Sequence, residues 1–242
     1  VYCKMFGAIA REIFYDEDFS LPVDRVLAGI NQKTKLIVLA NPNHTGTVIK
    51  EESLIEIIKS AESNNALVLI DEAYYHFYDG TMLPYIKKYD NLIIIRTFSK
   101  AFGIAPLRIG YTIADKSVIS ELYKVKLTHE ITGVAAKIGS YMLDNPEIMN
   151  NYVNDVNNGK LVLYRELSEL GCEVMESHAN FVFFKIPIGV DVKQVLSELQ
   201  EKNIYIKGPF ENSPFQEQLR VTVGSEEQMQ MFCDEVREIF KS

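Results

Sequence analysis

The sequence predicts an α/β fold: a large domain with a mainly parallel sheet covered by helices on both faces, then a smaller C-terminal α+β domain. Two observations carry this. The first half alternates short apolar runs with helical patterns, and strand, helix, strand in that rhythm means parallel pairing through crossovers. Past Asn145 the rhythm changes to long amphipathic helices and separated strands. The boundary is expected near Asn145 to Asn151, giving domains 1–150 and 151–242.

Each element has a local reason. Lys35 to Ala40, Ala66 to Ile70 and Asn91 to Arg96 are short, branched and nearly all apolar. Such runs are strands, and their lack of alternation implies a sheet buried on both faces. Glu51 to Asn64 puts Leu54, Ile57, Ile58 and Ala61 on one helical face. Asn145-Pro146 is read as a cap and opening for a long helix, because proline is tolerated at the first helical position. Asn180 to Ile186 and Gln218 to Val223 read as strands, and Asp191 as the cap of the helix between them. Ser225 with Gln228 forms a capping box for a final helix that buries Met229, Phe232, Val236 and Phe240. No internal repeat or low-complexity tract interrupts the pattern.

Composition narrows the function classes. The net charge of -8 and the absence of a basic cluster argue against nucleic-acid binding. No apolar run reaches the roughly 18 to 20 residues of a membrane span. Cys3, Cys172 and Cys233 are sparse and unpatterned, which suits reduced thiols in a cytoplasmic protein. His129 and His178 have no partner at metal-ligand spacing, so both read as structural or solvated and no metal is expected. No glycine-rich dinucleotide fingerprint or phosphate loop supports a nucleotide-binding protein.

The polar residues are concentrated where ligands bind in open parallel sheets, beyond the carboxyl ends of the strands. Ala40 is followed by Asn41-Pro-Asn-His-Thr-Gly-Thr47, Ile70 by Asp71-Glu-Ala-Tyr-Tyr-His-Phe77, and Arg96 by Thr97-Phe-Ser-Lys-Ala-Phe-Gly103. A lysine in such a crevice can form a covalent link to an aldehyde. A carboxylate keeps a pyridine nitrogen protonated. Hydroxyls and an arginine hold a phosphate. Those are the demands of pyridoxal 5'-phosphate.

The stretch Thr97-Phe-Ser-Lys-Ala-Phe-Gly-Ile-Ala-Pro-Leu-Arg-Ile-Gly110 closely resembles the cofactor-lysine motif of class I and II aminotransferases, most of all the histidinol-phosphate aminotransferase branch. Asp71-Glu-Ala-Tyr74, Ala179-Asn-Phe-Val-Phe183 and Leu219-Arg-Val-Thr-Val-Gly224 extend the resemblance from Tyr2 to the C-terminus. The resemblance implies amino transfer from histidinol phosphate or an aromatic amino acid to 2-oxoglutarate. It implies a homodimer with its sites at the subunit interface. It makes Lys100 the residue linked to the cofactor and the catalytic base. Asp71 pairs with the ring nitrogen, and Tyr74 and Asn43 contact the ring hydroxyl. Thr97, Ser99 and Arg108 hold the phosphate, and Arg220 binds the substrate carboxylate. The family's N-terminal portion, with a ring-stacking aromatic residue and a further phosphate-binding turn, is expected to lie before residue 1.

Two departures stand out. The family loop reads Asn-Pro-x-Asn-Pro-Thr-Gly, whereas Asn41-Pro-Asn-His-Thr-Gly46 is one residue shorter and lacks the second proline, leaving His44 to fill part of the space. Lys207, expected to end a strand, stands where histidinol-phosphate enzymes carry an arginine near the substrate phosphate. It keeps the charge and loses the bidentate fork. Two alternatives share these motifs: a threonine-phosphate decarboxylase-like enzyme on the same cofactor, and a truncated, non-catalytic dimerising chain.

Each residue also has a plainer reading. Alone, Lys100 is a surface lysine at a turn, Asp71 a loop cap and Arg108 a surface salt-bridge partner; the motif outweighs these. Tyr75 and His76 read as packing residues. Phe181, Phe183 and Phe184 read as core. Arg220 is harder to explain away, since an arginine inside an apolar strand calls for an anion.

Overall fold

A computed structural model of the chain describes residues 2–128, 130–210 and 215–241. His129 lies outside the described residues. The chain opens with a short helix, α1 (Tyr2–Met5), an extended stretch and α2 (Val23–Gly29), then enters the first sheet. Strands β1 (Leu36–Ala40), β2 (Leu67–Asp71) and β3 (Leu92–Thr97) are parallel, with α3 (Glu51–Ser63) as the crossover between the first two. The fourth strand, β4 (Gly110–Ala114), returns antiparallel to β3, so the order is β1-β2-β3-β4.

The register sets up the site. Ala40 lies opposite Asp71, and Asp71 opposite Ile95. Strands β1 and β2 therefore end level, β3 runs two residues further, and their polar loops leave from one edge. Below them, Leu54, Ile57, Ile58 and Ala61 of α3 are at most 1% exposed. They pack with Val26, Val68, Ile70, Leu92 and Ile94 into one core. Each such large side chain contributes about 1.5–3 kcal/mol by leaving water. On the opposite face of β1, Leu36 and Val38 remain exposed. Further along the sheet, Phe98, Phe102 and Ile109 pack against Ala135 and Met142. The last two belong to α5 (Gly133–Asp144), which follows α4 (Lys116–Val125).

A long helix, α6 (Pro146–Glu169), leads into a second, antiparallel sheet. Its strands are β5 (Glu173–Val174), β6 (Phe181–Lys185) and β7 (Gln218–Thr222). Helix α7 (Val192–Glu201) lies between β6 and β7, and α8 (Glu226–Lys241) closes the described chain. Pro146 does open α6, but Asn145 does not cap it. Its Nδ2 donates back to the Tyr141 carbonyl at 2.7 Å, which ties off the end of α5 instead. The other two caps form as the sequence predicts: Asp191 accepts from Lys193 N–H at 2.9 Å, and Ser225 and Gln228 exchange hydrogen bonds at 3.0 and 3.4 Å. Lys207 does not end a strand. It makes one isolated antiparallel bridge to Arg220.

The two sheets are brought together at specific points. Tyr74, Phe77 and Ala101, from loops of the first sheet, lie in the same buried cluster as Val156, Leu163, Phe181 and Val182. Gly46, in the loop after β1, has φ +87°, and a Cβ there would sit 2.3 Å from the Ser177 hydroxyl. The Gly46 carbonyl accepts from His178 N–H at 2.8 Å. Only glycine permits both the backbone conformation and that approach. Among the described residues, no helix is long and apolar enough to cross a membrane.

Candidate active site

Lys100 follows β3 by three residues, in the turn where Gly103 N–H donates to the Lys100 carbonyl at 3.0 Å. Its ammonium lies 5.1 Å from the centre of the Tyr74 ring. Tyr74 is 5% exposed and meets Phe181 edge-on, with ring centres 5.5 Å apart. The Phe181 ring lies 4.9 Å from the Arg220 guanidinium carbon. A continuous line thus runs from Lys100 through two rings to Arg220, joining residues far apart in the chain. Lys207 pairs with Arg220 through its backbone, N–H to carbonyl at 3.0 and 2.7 Å. Directly opposed residues of an antiparallel pair project to the same face, so Lys207 and Arg220 share a side.

Asp71 ends β2 at the same edge. One carboxylate oxygen accepts from Ala73 N–H at 3.0 Å. Among the described residues no cation pairs with it, and none of their carboxylates pairs with Lys100, Lys207 or Arg220. Thr97, Ser99 and Arg108 line one cavity of about 790 Å³. The Thr97 hydroxyl is partly used: it accepts from Ser99 N–H at 3.1 Å and donates to the Ile109 carbonyl at 3.4 Å. Arg108 has φ 54°, a left-handed conformation that costs a side-chain-bearing residue about 1–2 kcal/mol. Among the described residues its guanidinium bonds only to the nearby Ala105 carbonyl, at 3.3 Å. Glu130 also lines the cavity, but no acid among the described residues pairs with Arg108, and with the Ser99 hydroxyl beside it this cation suits an anion.

Asn43 is bonded within and beside its own loop. Its Oδ1 accepts from Thr45 N–H at 2.7 Å and from the Thr45 hydroxyl, and its Nδ2 donates to the Thr47 hydroxyl at 2.9 Å. Tyr15 adds a further hydrogen bond, while burial raises the Tyr15 phenol above its ordinary range. The amide is spent holding its own loop.

Sequence reasoning missed a buried ion pair behind the site. Glu72, 1% exposed, takes Arg96 Nε and Nη2 at 2.9 and 2.8 Å, the Thr81 hydroxyl at 2.9 Å and Met82 N–H at 2.7 Å. The Arg96 guanidinium stacks 3.6 Å over Tyr75, whose phenol is pushed up to about 12, chiefly by burial. Burial and then the nearby Arg96 charge push His76 down to about 4. This cluster pins the turn that presents Asp71 and Tyr74. The signal was present: Arg96 sits in an apolar strand, as Arg220 does.

The residues fit pyridoxal 5'-phosphate on their own chemistry. An unpaired amine, an unpaired carboxylate, a phenol and an anion cavity meet at the carboxyl edge of a parallel sheet. Fold and site together define a pyridoxal-phosphate-dependent protein. The chain belongs to the family described as aminotransferase class I and II, whose profile matches residues 1–236. It is 35% identical over 242 residues to the histidinol-phosphate aminotransferase of Caldanaerobacter subterraneus subsp. tengcongensis, covering 99% of this chain and 67% of that protein. It is 36% identical over 231 residues to that of Clostridium novyi, covering 94% and 63%. The chain therefore spans about two thirds of the length of these curated relatives. The solved histidinol-phosphate aminotransferase of Clostridium acetobutylicum superposes with a TM-score of 0.89 at 21% identity, covering 99% of this chain and 73% of that one. That of Sinorhizobium meliloti, in complex with pyridoxal-5'-phosphate, gives 0.84 at 22%, covering 99% and 66%. At those identities the structures speak for the fold.

Proposed function

We propose that the protein transfers an amino group from histidinol phosphate or an aromatic amino acid to 2-oxoglutarate. The observation that carries the reading is the unpaired Lys100 ammonium 5.1 Å from the Tyr74 ring, beside the strand end that bears Asp71. When bound, pyridoxal 5'-phosphate supplies an electron sink for the pair released at the substrate α-carbon. The protein's own groups do the rest. Lys100 Nζ would hold the cofactor and, once released from it, would take the proton at the substrate α-carbon. Asp71 keeps the ring nitrogen protonated, and Tyr74 donates to the ring oxygen. Ser99, Thr97 and Arg108 anchor the phosphate, so the ring cannot slide when Lys100 is displaced. Arg220 takes the carboxylate or its anionic equivalent, and Lys207 a second anionic group of the donor.

The proposal extends to a homodimer, from the family resemblance, to the cytoplasm, from the sparse cysteines, and to a division of the chain near residue 150, from the change of rhythm past Asn145. Borohydride reduction followed by peptide mapping tests its centre: the pyridoxyl group is expected on Lys100, and a label on another lysine ends the assignment. Asp71→Asn is expected to keep the fold and lose most turnover, since its carboxylate supports no other described side chain. Near-normal turnover in that variant would mean that the ring nitrogen is held elsewhere. A panel of amino donors, read by oxo-acid product, identifies the substrate.

A further inference from the structure

We infer that His44 supplies a hydrogen bond to the cofactor's ring oxygen beside Tyr74, and so tunes the proton on the Lys100 linkage. This rests on the cofactor binding proposed above.

The loop after β1 contains two amides. Asn41 Oδ1 accepts from Ile49 N–H at 2.8 Å. Asn43 is held by Thr45, Thr47 and Tyr15, and both Asn43 and Thr45 are 2% exposed. The Asn43 amide is therefore committed at both its oxygen and its nitrogen. His44 alone in Asn41 to Thr47 is exposed. Its imidazole meets Tyr74 edge to face, with centroids 6.2 Å apart and planes at 82°. Tyr74 is the same phenol that Lys100 approaches from another side. Among the described residues, neither the His44 nitrogens nor the Tyr74 hydroxyl has a hydrogen-bond partner. Two rings in contact, one of them 5.1 Å from the Lys100 amine, thus each carry a donor with no partner among the described residues. The shorter loop has lost its second proline and places an imidazole there.

The consequence is chemical. A donor to the ring oxygen draws off negative charge that would otherwise hold the proton on the neighbouring Lys100 nitrogen. Losing the donor lets that proton be held to higher pH. One neutral hydrogen bond nets about 1 kcal/mol, which corresponds to a shift approaching one pH unit. His44 is therefore a positioning and tuning residue for the cofactor, and the chemistry at the α-carbon remains with Lys100.

The test is spectroscopic. Wild type, His44→Ala and His44→Gln are loaded with pyridoxal 5'-phosphate, and the visible absorption band is titrated with pH. His44→Ala is expected to raise the midpoint by about one unit and to weaken cofactor retention about five-fold. His44→Gln, which restores an N–H donor at similar reach, is expected to titrate near wild type. A His44→Ala midpoint equal to wild type overturns the inference while leaving the proposed function intact. So does a His44→Gln midpoint that follows His44→Ala. A wild-type protein with no visible band after loading overturns the proposed function, and this inference with it.

Discussion

Two adjacent carboxylates, Asp71 and Glu72, have opposite environments, and their variants are expected to fail in opposite ways. Glu72 is 1% exposed and holds Arg96, itself 8% exposed. Glu72→Gln leaves a buried guanidinium uncompensated. Removing one partner of such a pair costs about 3–5 kcal/mol, so the urea midpoint is expected to fall sharply. A midpoint within experimental scatter of wild type would show that Arg96 finds another partner. Asp71→Asn is expected to spare stability and lose turnover. From the sequence the two acids look alike, and only their direction on the strand separates them. Lys100, Ser99 and Arg108 stood out as candidates because the motif from Thr97 to Gly110 is long, and Tyr74 because it follows Asp71 in a second motif. The local bonds of Asn43 were not legible: its amide ties the turn to Thr45 and Thr47, a short-range closure that the residue type alone does not announce.

Helix α6 shows what period can and cannot reveal. Its apolar face, with Val156, Leu163 and Leu167 fully buried, follows from spacing. Strand β4 went unrecognised because its first residue belongs to the lysine motif and its side chains are mostly exposed. Lys160 was also invisible, since a lysine on a helix normally faces water. Here it is 6% exposed, and its ammonium donates to the Ser177 carbonyl at 3.1 Å. Burial pushes it down to about 8, against an opposing pull from Glu176. The folded protein therefore gives up this proton at lower pH than the unfolded chain does. Between about 8 and the ordinary 10.5 the unfolded state binds more protons, so stability rises with pH across that window. The burden of the buried charge is fully present below it. Chemical denaturation of wild type and Lys160→Met at pH 7, 9 and 10.5 checks this. The wild type is expected to gain on the variant as pH rises, and parallel curves would place the proton elsewhere.

At the scale of the molecule, the candidate site draws on two sheets. Lys100, Asp71 and the cavity beside Arg108 hang from the parallel sheet, whereas Arg220 and Lys207 sit on the antiparallel one. The α/β class and the parallel pairing of the first three strands were legible because apolar runs, helical periods and caps agree with one another. The contact between the sheets was not, because Gly46 against Ser177 and Tyr74 against Phe181 are long-range approaches that no local pattern encodes. That division of labour predicts separable defects. Arg220→Ala removes a cation held over Phe181, at 4.9 Å, without touching the cofactor's own holders. Borohydride labelling of Lys100 is expected to survive in this variant. Both half-reactions are expected to lose roughly 1.5–3 kcal/mol in kcat/KM, as for one charge-assisted hydrogen bond, because donor and acceptor each present an anion there. On the proposed reading, Lys207, bridged to Arg220 and exposed, would meet only the longer donor. Lys207→Ala is expected to weaken a phosphorylated donor and leave 2-oxoglutarate unaffected, and Lys207→Arg to sharpen selection of that donor through its bidentate fork. Steady-state kinetics on the two half-reactions decide it. A donor preference unchanged in Lys207→Ala would remove the phosphate from the substrate and leave an aromatic amino acid as the donor.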